Sequence, residues 1–128
     1  MNLLLDSHTF LWFVGNDPRL SLNARVVIED PSNRKWVSIA SLWEITIKVS
    51  IGKLTLTDPV AVFLRRELLL NKFSTLDISL NHLDSLSTIP FHHRDPFDRL
   101  IVSQSIADSI SVVSTDLAFD AYGITRIW

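Results

Sequence analysis

The chain has 128 residues, 47% of them hydrophobic, with no cysteine and a formal net charge of −2. That length suits one compact domain over residues 1–128, and the apolar content excludes a disordered chain. The lack of cysteine excludes disulfides and thiolate metal sites and fits a reducing, cytoplasmic setting.

The first segment, Met1-Asn2-Leu3-Leu4-Leu5-Asp6, has neither the basic region nor the cleavage site of a signal peptide. Its apolar run reads as a short strand covered on both faces. Residues 9–14 and 21–29 read as helices and residues 35–39 as a strand. Residues 40–51 are ambiguous. Trp43, Ile45, Ile47, Val49 and Ile51 alternate with Glu44, Thr46, Lys48 and Ser50, which is a strand signal. Wound as a helix, the same residues put Ser41, Glu44 and Lys48 on one polar strip of an otherwise buried surface, with Gly52 as the stop.

Residues 59–71 have helical periodicity, 75–78 a short strand pattern and 79–87 a short helical one. The clearest helix is 96–108, with Leu100, Ile101, Gln104 and Ala107 at helical spacing. Residues 111–114 and 124–127 close the chain as strands. No apolar stretch approaches the roughly 20 residues a membrane span needs. Strands alternating with helices predict an α/β fold, a parallel sheet with helices on both faces. Functional groups in such sheets gather beyond the carboxyl ends of the strands.

Four acids stand where a strand ends or a helix begins: Asp6, Glu44, Asp98 and Asp116. Several carboxylates in one cleft repel each other and raise each other's pKa unless a divalent ion neutralises them. Hard cations such as Mg²⁺ and Mn²⁺ prefer such oxygen ligands, and the resulting site can activate water against a phosphodiester. Each acid also has a structural reading. Asp6 and Asp116 are placed to cap the segments that follow them. Glu44 can pair with Lys48 at i,i+4. Asp95-Pro96 has the form of an N-cap followed by proline, with Asp98 three positions beyond the cap. Setting aside the four acids leaves ten acidic against twelve basic residues, a weakly positive remainder toward a polyanion.

The residues around these acids resemble the PIN-domain family, most closely the VapC toxins of bacterial type II toxin–antitoxin pairs. Four segments in order carry the likeness: Leu-Leu-Leu-Asp6-Ser7-His8-Thr9 with Leu11-Trp12; Ser38-Ile-Ala-Ser41-Leu-Trp43-Glu44-Ile with Lys48 and Gly52-Lys53-Leu54; His93-Arg94-Asp95-Pro96-Phe97-Asp98-Arg99-Leu100-Ile101; and Val113-Ser114-Thr115-Asp116 with Phe119 and Tyr122. The likeness implies a three-layer α/β/α sandwich around a parallel sheet of four to five strands, with Glu44 on a helix. It implies Mg²⁺ or Mn²⁺ held by Asp6, Asp98 and Asp116, with Glu44 as a further ligand or one step removed. It implies endonucleolytic hydrolysis of RNA by water, leaving a 5′-phosphate and a 3′-hydroxyl. It also implies a cytoplasmic homodimer that a cognate antitoxin inhibits. Ser7 stands where the family often has threonine, and Ser114-Thr115 where an arginine often lies beside the last acid.

Around this set, Ser7 and Thr115 flank two ligands and can either orient them or act as ordinary caps. Asp120 lies at i+4 from Asp116, either a fifth carboxylate or a solvated position. Arg99 can bind substrate phosphate or pair with Asp95. His92 and His93 read as loop histidines of the surface, without a metal-like spacing partner. Of Trp12, Trp36, Trp43 and Trp128, three sit in core-like patterns and read as packing, against a base-stacking role. Two other functions are weaker. A haloacid-dehalogenase-like phosphatase needs a second aspartate two residues after the first, where this chain has His8. A PIN-like scaffold that no longer cuts is expected to have lost an acid, and all four are here.

Overall fold

Leu3, Leu4 and Leu5 are all fully buried, and successive side chains of a strand point to opposite faces, so this one run seeds two cores. They lie in β1 (Asn2–Leu5), the middle strand of a five-stranded sheet in the computed structural model, which describes residues 1–128. The others are β2 (Arg34–Ser38), β3 (Phe73–Leu76), β4 (Ser111–Val113) and β5 (Arg126–Ile127). Their spatial order is β3-β2-β1-β4-β5, and every pairing is parallel. The helices are α1 (Ser7–Val14), α2 (Leu22–Glu29), α3 (Ile39–Ser50), α4 (Val60–Leu70), α5 (Leu80–Leu86) and α6 (Pro96–Asp108), with a 3-10 helix at Leu117–Tyr122.

On one face Leu3, Leu5, Val37, Phe73 and Val113 pack against Phe10, Ala24, Ile28, Ile45 and Leu64 of the first four helices. On the other, Leu4 and Val112 pack beneath Ile101 and Val102 of α6, with Ile89, Phe119 and Leu86. The result is the expected three-layer α/β/α arrangement. The chain runs outward from β1 through β2 to β3, then returns to β4 on the other side of β1. Asp6 and Ser114 follow directly on β1 and β4, which pair through Leu5 and Val113. They therefore flank the point where the strand order reverses, the usual site of function in such sheets.

Residues 40–51 are helical. The Ser38 hydroxyl accepts from the Ala40 N–H at 3.1 Å, so β2 passes into α3 through an N-cap with no loop between. Gly52, at a φ of 76°, ends it in the left-handed conformation that favours glycine. The burial is not the expected one. Ser41 is fully buried and the Glu44 and Lys48 side chains are 13% and 29% exposed, while Ile39 and Trp43 are 40% and 60% exposed. The polar strip faces inward, because Glu44 meets Ser7 of α1 there. Trp43 is thus not core packing. It lies edge-on to Phe97 of α6 on the surface, with ring centroids 5.3 Å apart.

Strand β3 begins two residues before the expected segment, because Phe73 is buried edge-on against Phe10 and Phe13. The expected end of that strand is instead the approach to α5, whose N-cap Ser79 makes a capping box with His82. Strand β5 is trimmed to two residues. No helix is long and apolar enough to cross a membrane.

Candidate metal centre

Asp6 is buried at the carboxyl end of β1 and caps α1. Its Oδ1 accepts from the Thr9 N–H at 2.9 Å, capping α1. Its Oδ2 accepts from the Ser114 hydroxyl, and the same hydroxyl accepts from the Asp116 N–H at 3.1 Å. One serine therefore ties the acids after β1 and β4 together. Asp116 caps the 3-10 helix, its Oδ1 accepting from the Ala118 N–H at 3.0 Å. Burial pushes the Asp116 carboxyl up, but hydrogen bonds from His93 and Ala118 and the charges of His93 and Arg126 outweigh it and hold the group below its ordinary value.

Glu44 accepts from the Ser7 hydroxyl at 2.9 Å and pairs with Lys48 at 3.1 Å. Both readings of Glu44 thus have substance: it is ion-paired, and its charge is felt in the cluster. Asp98 shows this most clearly. Burial first, then Asp95, and also Glu44 and Asp6, push its carboxyl up to about 7, against an opposing pull from His93. A buried acid raised this far among other acids is a candidate functional group.

His93 belongs to the cluster, contrary to its reading as a surface loop residue. Its side chain is 8% exposed, and its Nε2 lies 2.7 Å from Asp116 Oδ2. Its Nδ1 lies 2.9 Å from the Tyr122 hydroxyl. His93, Asp98 and Asp116 each offer a ligand atom within 4.8 Å of the other two. The sequence signal was modest: His93 opens the segment that ends in Asp98, but its partners are 23 and 29 residues away. His92 is exposed, as expected.

The remaining candidates separate. Asp95 caps α6, accepting from the Phe97 N–H at 2.7 Å and the Asp98 N–H at 3.4 Å. Arg99 does not pair with Asp95. It is buried, donates to the Pro90 carbonyl at 2.9 Å and lies over the Phe91 ring at 3.8 Å, pinning the loop that delivers His93. Asp120 makes a two-pronged pair with Arg126, at 2.9 and 3.1 Å. Thr115 is exposed and makes no side-chain hydrogen bond; the neighbouring Ser114 does the tying instead. Ser7 does orient an acid, but it is Glu44 and not the adjacent Asp6.

The donor set suits a hard divalent cation. Oxygen ligands dominate, and the burial and neighbouring carboxylates that raise Asp98 are the stress a bound cation relieves. Asp98 and Asp116 are the central pair, with Asp6 joined to Asp116 through Ser114. With a cation in place, such a cluster is suited to hydrolysis at an anionic phosphoryl centre.

A search of the curated proteins by sequence found no match. Among solved structures, the fold is similar to that of VapBC2 from Rickettsia felis bound to a DNA fragment from their promoter. The TM-score is 0.72 and the identity 16%, over 98% of this chain and 97% of that one. It is also similar to VapBC-1 from nontypeable Haemophilus influenzae, with a TM-score of 0.68 and 14% identity over 98% of this chain and 96% of the other. A third likeness is to FitAcB from Neisseria gonorrhoeae, with a TM-score of 0.64 and 18% identity over 97% and 95% of the two chains. At these identities the likeness is one of fold. The PIN domain family model matches residues 3–124, and the chain therefore belongs to the PIN-domain family.

Proposed function

We propose that this PIN-domain protein is a metal-dependent endoribonuclease, the toxin of a type II toxin–antitoxin pair. The observation that carries the reading is the juxtaposition of Asp98 and Asp116, whose ligand atoms lie within 4.8 Å of each other, in a pocket where burial and the charges of Asp95, Glu44 and Asp6 also push the Asp98 carboxyl up.

Asp98 and Asp116 would hold Mg²⁺ or Mn²⁺, with Asp6 directly or through water. When bound, the cation supplies charge neutralisation and water activation at the phosphodiester. The protein's own groups do the rest. Ser114 and the Thr9 N–H fix both oxygens of Asp6. Ser7 and Lys48 fix Glu44, which adds charge and orients the attacking water. With water as nucleophile and the ribose 3′-oxygen as leaving group, the products are a 5′-phosphate and a 3′-hydroxyl.

The proposed partners are RNA, a second copy of the chain and an antitoxin, in the cytoplasm. A groove of about 610 Å³, with Leu11, Trp12, Leu54, Leu56 and Phe63 beside Asp17, Arg19 and Lys53 in its wall, is the proposed seat of an antitoxin segment. Lys48 also lines it, so an occupant would lie next to the cation that holds Glu44. The VapBC and FitAcB structures are similar to this chain over nearly its full length, which supports the same kind of pairing.

The test is cleavage of RNA by the purified protein with Mn²⁺, against EDTA and an Asp6→Asn control. Cutting only with metal and only by the wild type is expected, with 5′-phosphate ends. Equal cutting by Asp6→Asn, or cutting in EDTA, overturns the mechanism.

A further inference from the structure

His93 is absent from the set of acids assigned above, yet both its ring nitrogens and its ring faces are engaged. Its ring stacks on Tyr122, 9° from parallel with centroids 5.5 Å apart, and contacts fully buried Phe119 at 4.8 Å. Both rings belong to the 3-10 helix that Asp116 itself caps. The slot holding His93 and the carboxylate it touches are therefore one unit of local structure.

The polarity of the hydrogen bonds follows from the partners. An ionised carboxylate only accepts, so Nε2 carries the proton donated to Asp116 Oδ2. The His92 N–H can only donate, and it does so to the Tyr122 oxygen at 3.2 Å. In the neutral ring Nδ1 is then an acceptor, and the Tyr122 hydroxyl donates to it; in the charged ring, whose field reaches Asp98 and Asp116, Nδ1–H donates to the same oxygen instead. One chain runs from the His92 N–H through Tyr122 and His93 to Asp116. Neither ring nitrogen keeps a free lone pair for a cation. Asp116, by contrast, has one oxygen held by His93 and the other by the Ala118 N–H, and each keeps a lone pair.

Resting on the metal-site reading above, we propose that His93, with its tautomer set by Tyr122, is a positioning residue that holds Asp116 in its metal-binding orientation rather than a ligand itself. Arg99 supports it from behind by pinning the carbonyl of Pro90. Partners that orient metal ligands in this way typically contribute about 10–100-fold to metal affinity.

The experiment is calorimetric titration of Mn²⁺ into wild type, His93→Ala, His93→Gln and Tyr122→Phe, with thermal unfolding to confirm that each is folded. Long-range nitrogen–proton NMR of the metal-free wild type reads the His93 tautomer separately. The proposal expects an Nε2–H tautomer and Mn²⁺ affinity lowered by about 10–100-fold in His93→Ala. His93→Gln, which keeps a donor, recovers part of the loss. Tyr122→Phe keeps the stacking and should still weaken binding several-fold. An Nδ1–H tautomer, or a folded His93→Ala with wild-type affinity, overturns the proposal while leaving the metal site intact. Loss in both His93 variants with Tyr122→Phe unchanged makes His93 a ligand and overturns it as well. Wild type that binds no Mn²⁺ removes the metal site and the proposal together.

Discussion

Asp98 gives the most quantitative handle on the centre. Its carboxyl is pushed from an ordinary 3.8 up to about 7 by burial and by Asp95, Glu44 and Asp6. The folded value lies above the unfolded one, so the fold favours the protonated acid. This group therefore destabilises the metal-free protein increasingly as pH rises from about 4, and the loss is complete above about 7. Three pK units correspond to about 4 kcal/mol as an upper figure; partial exposure of Asp98 and solvent screening bring it to about 2 kcal/mol. Asp98→Asn keeps the shape and removes the charge. In EDTA at pH 8 the variant should melt above wild type, by roughly 5–8 °C for about 2 kcal/mol in a chain of this size. The difference should shrink steadily between pH 7 and pH 4. Saturating Mn²⁺ should reverse the order, because only the wild type gains appreciably from binding. A variant no more stable than wild type at pH 8, or a difference unaffected by pH, would refute the reasoning.

Other substitutions separate the roles assigned to the neighbours. Ser114→Ala unties Asp6 from the Asp116 N–H; it should cost about 1–3 kcal/mol on denaturant unfolding and weaken Mn²⁺ binding about tenfold. Asp120→Asn should leave RNA cleavage unchanged, since Asp120 is committed to Arg126; a loss beyond about tenfold would return it to the site. Arg99→Ala strips a buried cation from the Pro90 carbonyl and the Phe91 ring, and should cost about 2–3 kcal/mol with increased amide exchange in the loop that carries His93. Wild-type stability in that variant would show that the loop is held by other contacts.

The features readable from sequence are those set by local pattern. An unbroken apolar run marks a strand covered on both faces, and Leu3, Leu4 and Leu5 indeed feed two cores. Asp95-Pro96 fixes the start of α6 by capping chemistry alone. What escaped depends on partners distant in the chain. Ser114 and Thr115 are equivalent on paper, and only the pairing of β4 with β1 brings Ser114 to an aspartate 108 residues away. His93 looks like a loop histidine until the 3-10 helix presents Phe119 and Tyr122 to it. For Arg99 the sequence offers two anionic partners, while its actual partners are a carbonyl and an aromatic ring. In residues 40–51 the alternation pointed to a strand, yet Ser38 caps a helix there and Ser7 draws the polar strip inward. Propensity and periodicity yield to tertiary context at such places, and functional sites are where that is most expected.

The most direct test of the central claim is diffraction from crystals grown with Mn²⁺ and collected to locate its anomalous signal. A peak is expected at ligand distance from Asp98 and Asp116, on the side of Asp6, with the His93 ring still bonded to Asp116 and Tyr122. No peak in the cluster at saturating Mn²⁺, or peaks only elsewhere on the surface, would contradict it.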